Sequence, residues 1–326
     1  MPMVPSVLTI RSDIPSSIIQ RFEVPGTGPP TIAFSNNGQF LAIKPMSFAI
    51  HVFRIDTKIN KFVEYKTFNF DAVPLSFKWS PDDTKLLVTL SPSRYLIYVC
   101  KLQDKSTVSD VVIQTPSLTE EITCVAWFPD SLHYVVGTNE GIIYIFDIYG
   151  HTIDKLKNYR SMDINVLKDG ETILFTDNLN RLLLWNPRTH DIVTILQSNS
   201  FITSVLLCPN GENALISCIN EGIFLFNLRY KSIVRHFYGI VSNYQASQCS
   251  FYPLENSKLF AVGDQMGSIN IYHIDKSPPI HNLRNTLQHP CSAIAWNPTD
   301  PTMLASVTID CIVNIWQSNN QHPRFI

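Results

Sequence analysis

The sequence predicts an all-β fold, a seven-bladed propeller whose ring is closed by a strand from the amino terminus. Three observations predict it. A unit of three short apolar strands and a polar tight turn recurs seven times. The aromatic residues that close its third strand are spaced by 45, 48, 39, 41, 46 and 44 residues, the period of roughly 40–45 expected of a four-stranded blade. The one strand pattern left without a unit lies at the opposite end of the chain from the unit that lacks an outer strand.

The first strand and its turn read Ile32–Gly38, Phe77–Asp83, Cys124–Asp130, Ile164–Gly170, Val205–Gly211, Cys249–Pro253 and Ile294–Pro298. Pro, Asp, Asn and Gly recur at the same place in them because each tolerates the backbone angles of a tight turn. The third strands close on Phe53, Tyr98, Phe146, Trp185, Phe226, Tyr272 and Trp316. Helical repeats of this length would need long segments of 3.6-residue period. The sequence offers short runs of β-branched and aromatic residues instead.

An outer fourth strand with alternating character follows most units, as in Phe62–Phe68 and Asp191–Leu196. After Trp316 the chain is polar and poor in strand formers, whereas Ile18–Val24 has the missing pattern. That segment is therefore expected to pair into the last blade and remove an exposed sheet edge. The expected organisation is an amino-terminal segment over 1–26, one propeller of seven units over 27–316, and a tail over 317–326.

Composition narrows the function. Lys and Arg number 25 against 27 Asp and Glu, so a net charge of −2 gives no general pull toward nucleic acid or anionic lipid. No basic cluster of four or more occurs, and the aromatics fall at strand-core positions, which argues against RNA binding. The seven cysteines are scattered, with no C-x-x-C pair and no His at metal-ligand spacing, and read as reduced thiols of the cytoplasm or nucleus. No signal peptide and no apolar stretch long enough to span a membrane is read. There is no Gly-rich phosphate loop, no H-E-x-x-H and no G-x-S-x-G, so no enzyme, cofactor, metal or small-molecule substrate is expected.

The phase of the repeat says which loops share a rim. The turns between second and third strands carry Lys44, Arg94, Glu140, Asp177, Glu221, Asp264 and Asp310; the loops entering the first strands add Glu120, Glu121, Arg160, Tyr244 and His289. Seven of these are acidic and three are Lys or Arg, so a basic protein segment is the natural complement. Reversing Glu140, Asp177 and Asp264 together is expected to weaken partner binding while leaving stability unchanged.

Several stretches go beyond a generic repeat. Asp147–Asp154, Glu221–Leu228 with Ile233–Gly239, and the last unit from Ala295 to Trp316 together resemble the WD40-repeat family, and within it the WD-repeat scaffold and substrate-receptor subunit of the CTLH (GID) ubiquitin-ligase complex. The family's amino-terminal LisH and CTLH helices have no counterpart in the roughly 26 residues before the first unit. The resemblance implies a non-catalytic scaffold, a monomeric propeller recruiting substrates or joining ligase subunits on the way to proteasomal degradation. The alternative is an adaptor in another assembly, such as trafficking, RNA processing or chromatin. The family's blade-bracing set of His, Ser or Thr, Asp and Trp maps onto His289, Thr308, Asp310 and Trp316 in the last unit.

Overall fold

The computed structural model describes residues 14–90, 97–102, 120–237, 240, 249–254, 258–284 and 289–318, with backbone alone over 111–114. It contains seven four-stranded antiparallel sheets in a seven-bladed β-propeller arrangement, and no helix among the described residues. Blade 1 spans residues 31–69, blade 2 74–114, blade 3 122–157, blade 4 161–197, blade 5 202–237 and blade 6 249–283. Blade 7 takes three strands from 291–317 and its outer strand from Ser17–Glu23, one residue earlier than the pattern suggested.

The tight turn between first and second strands has one chemistry in five blades. The Oδ1 of Asn37, Asp82, Asp130, Asp169 or Asn210 accepts the N–H two residues on, at 2.8–3.0 Å. The residue between, Gly38, Asp83, Ser131, Gly170 or Gly211, lies at φ of 57–72°. A short acceptor side chain followed by a residue that tolerates the left-handed region is the Asx-turn solution. This is why the same few residue types recur there.

Contacts divide the chain into two compact units, Met1–Pro45 with His51–Tyr65 and Gln248–Ile326, and Met46–Ile50 with Lys66–Ser247. In the first, Ile32, Phe34, Leu41 and Ile43 of blade 1 pack with Ala305, Val307, Val313 and Ile315 of blade 7. Leu259, Ala261 and Ile271 of blade 6 pack with Trp296, Leu304 and Trp316 on the other face of blade 7. In the second unit the seams between blades 2 and 3, 3 and 4, and 4 and 5 each carry their own apolar cluster. All seven third-strand aromatics are buried.

The amino-terminal strand closes blade 7 as expected. It runs antiparallel to Ile312–Gln317, with Ile18 opposite Trp316 and Phe22 opposite Val313. Gln20 then ties it to the outer strand of blade 1: its amide donates to the Phe62 carbonyl and accepts the Phe62 N–H, both at 2.8 Å. The Phe22 and Phe53 rings lie 4.7 Å apart.

All seven cysteines are free and none is fully exposed. Burial pushes the thiols of Cys124 and Cys218 up to about 11 and those of Cys208 and Cys291 up to about 12, which keeps them in the unreactive protonated form.

Candidate functional site

Backbone hydrogen bonds bring the loops and turns of blades 3, 4 and 5 together on one edge. Asn139 in the blade 3 turn donates to the Glu121 carbonyl of its entering loop, Asn178 to Arg160 in blade 4, and Ile219 to Phe201 in blade 5. Neighbouring blades are linked in the same way, by Tyr159 N–H on the Gly141 carbonyl and Ser198 N–H on the Asn180 carbonyl. Blades 3–5 therefore present a contiguous rim in which turn and loop residues alternate. This is the grouping the repeat phase implied.

On that rim Glu140 and Arg160 are exposed, while Glu120, Glu121 and Glu221 are half-buried. Glu120 accepts from the Tyr144 hydroxyl at 3.1 Å, Glu121 from the Asn139 amide at 3.1 Å, and Glu221 from the Ser200 hydroxyl. Each of these three carboxylates thus has a fixed position. Arg181 is paired with Asp177, so four carboxylates against the guanidinium of Arg160 keep this part of the rim acidic.

Two residues expected on the accessible surface are not there. Asp177 is 1% exposed, and its carboxylate is consumed by the turn it closes, accepting the N–H groups of Leu179 and Arg181 and pairing with the Arg181 guanidinium at 2.5 and 2.8 Å. Lys44 is 6% exposed at the end of strand Phe40–Lys44, and burial lowers its pKa. Asp264 is half-buried and accepts the N–H groups of Met266 and Ser268. Arg94 and Tyr244 lie outside the described residues.

Asp177, Asp264, Thr138 and Thr308 occupy one structural position. Each ends a second strand or, for Asp264, directly follows it, and its side-chain oxygen accepts the N–H four residues on, from Arg181, Ser268, Ile142 and Ile312. A short oxygen-bearing side chain satisfies a turn donor that would otherwise be orphaned. Carboxylates at this position brace the turn. Those at the turn tip, such as Glu140, face solvent.

The same turns carry exposed apolar side chains that a reading of charge alone missed: Met46 and Phe48 in blade 1, Leu179 in blade 4, Met266 in blade 6 and Ile309 in blade 7. The phase of the repeat already placed them. Their signal was an apolar residue in a turn otherwise made of Asn, Asp, Glu and Gly.

In blade 7, His289 Nδ1 lies 2.5 Å from Asp310 Oδ2, both residues about half exposed. Thr308 accepts the Ile312 N–H, and Trp316 Nε1 donates to the buried Ser306 hydroxyl at 2.8 Å, two residues before Thr308. Ser306 lies ten residues before Trp316. At the equivalent place the other blades carry Ile43, Val88, Val136, Phe175, Ile216 and Val262. Five of these precede Phe or Tyr, which bring no indole donor. Trp185 does bring one, shares an apolar cluster with Phe175, and its buried Nε1 has no hydrogen-bond partner.

A contrast follows. Trp316→Phe is expected to cost about 1–2 kcal/mol, because it strands the Ser306 hydroxyl in the core, whereas Trp185→Phe removes an unsatisfied donor and is expected to cost less than about 1 kcal/mol or to stabilise. Urea unfolding of the two variants checks the order, and equal losses would refute the assignment.

No group of three His, Cys, Asp or Glu is placed to hold a metal among the described residues, and no helix there is long and apolar enough to cross a membrane. The WD40 family, described as "WD domain, G-beta repeat", matches residues 112–147 and 279–317. The chain is similar to the WD repeat-containing protein 26 homolog of Drosophila melanogaster, 29% identical over 73% of this chain and 37% of that protein. It is similar to the WD repeat-containing protein WDS homolog of Arabidopsis thaliana, 28% identical over 94% of this chain and 58% of the relative. A third relative is GID complex subunit 7 of Schizosaccharomyces pombe, 24% identical over 62% of this chain and 41% of the relative. The chain spans well under two thirds of the length of each. The chain is a seven-bladed β-propeller with two stretches that match the WD40 repeat, and it is similar to proteins named as WD repeat-containing and, in one case, as a GID complex subunit.

Proposed function

We propose that this protein is a non-catalytic interaction scaffold, a substrate-recruiting or assembly subunit of a CTLH/GID-type ubiquitin ligase working in the cytoplasm or nucleus. The observation that carries the reading is the rim of blades 3–5. Glu120, Glu121, Glu140 and Glu221 stand there on loops fixed by backbone hydrogen bonds, beside the exposed Leu179. A rigid scaffold presenting variable loops is the usual setting of a binding surface, and fixed carboxylates beside an apolar side chain complement a segment bearing Lys or Arg with apolar neighbours. The fold alone would host many functions. The similarity to a protein named as a GID complex subunit supports the pathway.

Affinity purification of the tagged full chain from its native cells at moderate salt, followed by mass spectrometry, tests this. A RING-type subunit together with CTLH-containing proteins is the expected recovery. A different stable set, such as an RNA-processing or trafficking assembly, would replace the pathway while keeping the scaffold. Recovery of no stable partner would remove both.

A further inference from the structure

At the opposite ends of the same strands, the turns between first and second strands stitch adjacent blades together. Asp82 N–H donates to the Ser131 hydroxyl across the seam of blades 2 and 3, and Lys168 Nζ to the Pro209 carbonyl across that of blades 4 and 5. Between blades 3 and 4 no such hydrogen bond joins the facing turns at Asp130 and Gly170. The seam opens instead into a groove of about 590 Å³, within the range of roughly 300–1,000 Å³ typical of binding sites.

The walls of this groove are Phe128, Ile145 and Pro187, with Ile153, 58% exposed, at its mouth. Ile153 stands out because it is the bulged residue of the outer strand Thr152–Lys157, skipped between the pairs Ile145–Asp154 and Phe146–Thr152. Leu132, beside the lining residue His133, and Tyr149 are both more than half exposed, and the Ile148 N–H ties the two segments through the Leu132 carbonyl. The charged lining is unbalanced. Asp130 is paired with His133 at 2.5 Å and Glu171 with Arg188 at 2.7 Å, and His190 is exposed. Among the described residues the Asp154 carboxylate accepts only the backbone N–H of Lys155, whose own side chain is not part of the lining.

We infer that this groove between blades 3 and 4 is a second docking site, which takes an extended segment of a partner protein carrying an Arg or Lys side chain between apolar residues. The aliphatic stem lies along Phe128, Ile145 and Pro187, as long cationic side chains do on apolar surface, and the charged head meets Asp154. Apolar neighbours of that residue cover Ile153 and Leu132. The site is independent of the acidic rim, from which it is separated by the length of the strands. A scaffold with both could hold two partners at once.

The test uses the full chain labelled at isoleucine methyl groups, titrated with acetyl-Leu-Arg-Leu-amide and, separately, with acetyl-Leu-Glu-Leu-amide. The Ile145 and Ile153 methyl resonances should move with the Arg probe, in the millimolar range expected of so small a ligand, while those of Ile216 and Ile271 stay in place. The Glu probe should leave all four unmoved. Asp154→Lys should weaken binding of the Arg probe at least about fivefold. The variant Glu140→Lys/Leu179→Lys, which alters only the acidic rim, should bind the probe as the unaltered chain does, so a failure of the proposed function would leave this result standing. Unmoved Ile145 and Ile153 resonances, an equal response to the Glu probe, or unchanged affinity in Asp154→Lys would each overturn the inference.

Discussion

Removal of residues 1–26 is expected to abolish cooperative unfolding. The lost strand Ser17–Glu23 supplies the outer edge of blade 7, and its removal uncovers the ladder of Ile312–Gln317. It also takes away the Gln20 bridge to Phe62, the Phe22–Phe53 ring contact, and Val24 from the core shared by blades 1 and 7. An exposed apolar strand edge invites aggregation as well as loss of stability. The combined loss should exceed about 5 kcal/mol, the lower end of total domain stability, so calorimetry should show no cooperative transition. A single transition at the original temperature would refute the closure. The milder Gln20→Ala, which leaves the strand intact and removes only two hydrogen bonds, should cost about 1–2 kcal/mol.

Asp177→Lys is expected to be the most damaging single charge reversal among the rim residues. It replaces a buried carboxylate by an ammonium beside Arg181 and leaves the Leu179 and Arg181 N–H groups without their acceptor. Breaking a buried pair by removing one partner typically costs about 3–5 kcal/mol, and the like charge adds to that. Asp264→Lys should cost less, since Asp264 is only half-buried, and Glu140→Lys should change stability by no more than about 0.5 kcal/mol. Reversing all three together therefore mixes a folding defect into any binding assay, contrary to the expectation of unchanged stability. Denaturant midpoints of the three single variants give the order directly. A neutral Asp177→Lys would refute the bracing role.

Much of this architecture is legible in the sequence because a repeat multiplies weak signals. One Asx turn is ambiguous, but Asn37, Asp82, Asp130, Asp169 and Asn210 at matched positions are not. The closing strand was legible for a topological reason: a unit without its outer strand and an unclaimed strand pattern at the other end of the chain require each other. The accessible surface was less legible, because the period places a residue on a turn without saying whether it ends the strand or tips the loop. Asp177 and Glu140 belong to equivalent turns two residues apart in phase, and one is buried where the other is exposed. Ser306 escaped notice for a similar reason, since its partner Trp316 is ten residues away and only the strand register brings them together. The groove between blades 3 and 4 depends on a hydrogen bond that is missing across one seam, which no local pattern announces.

Partners held on the turn rim of blades 3–5 should be lost when the charge and the apolar tip of that rim are altered together. Quantitative affinity purification of the unaltered chain against Glu140→Lys/Leu179→Lys, two exposed positions of that rim, with both melting temperatures measured in parallel, measures that loss. RING-type and CTLH-containing partners recovered with the unaltered chain are expected to fall at least about tenfold with the variant, while the melting temperature stays within about 2 °C. Equal recovery of every partner by the two forms, at equal stability, would contradict it.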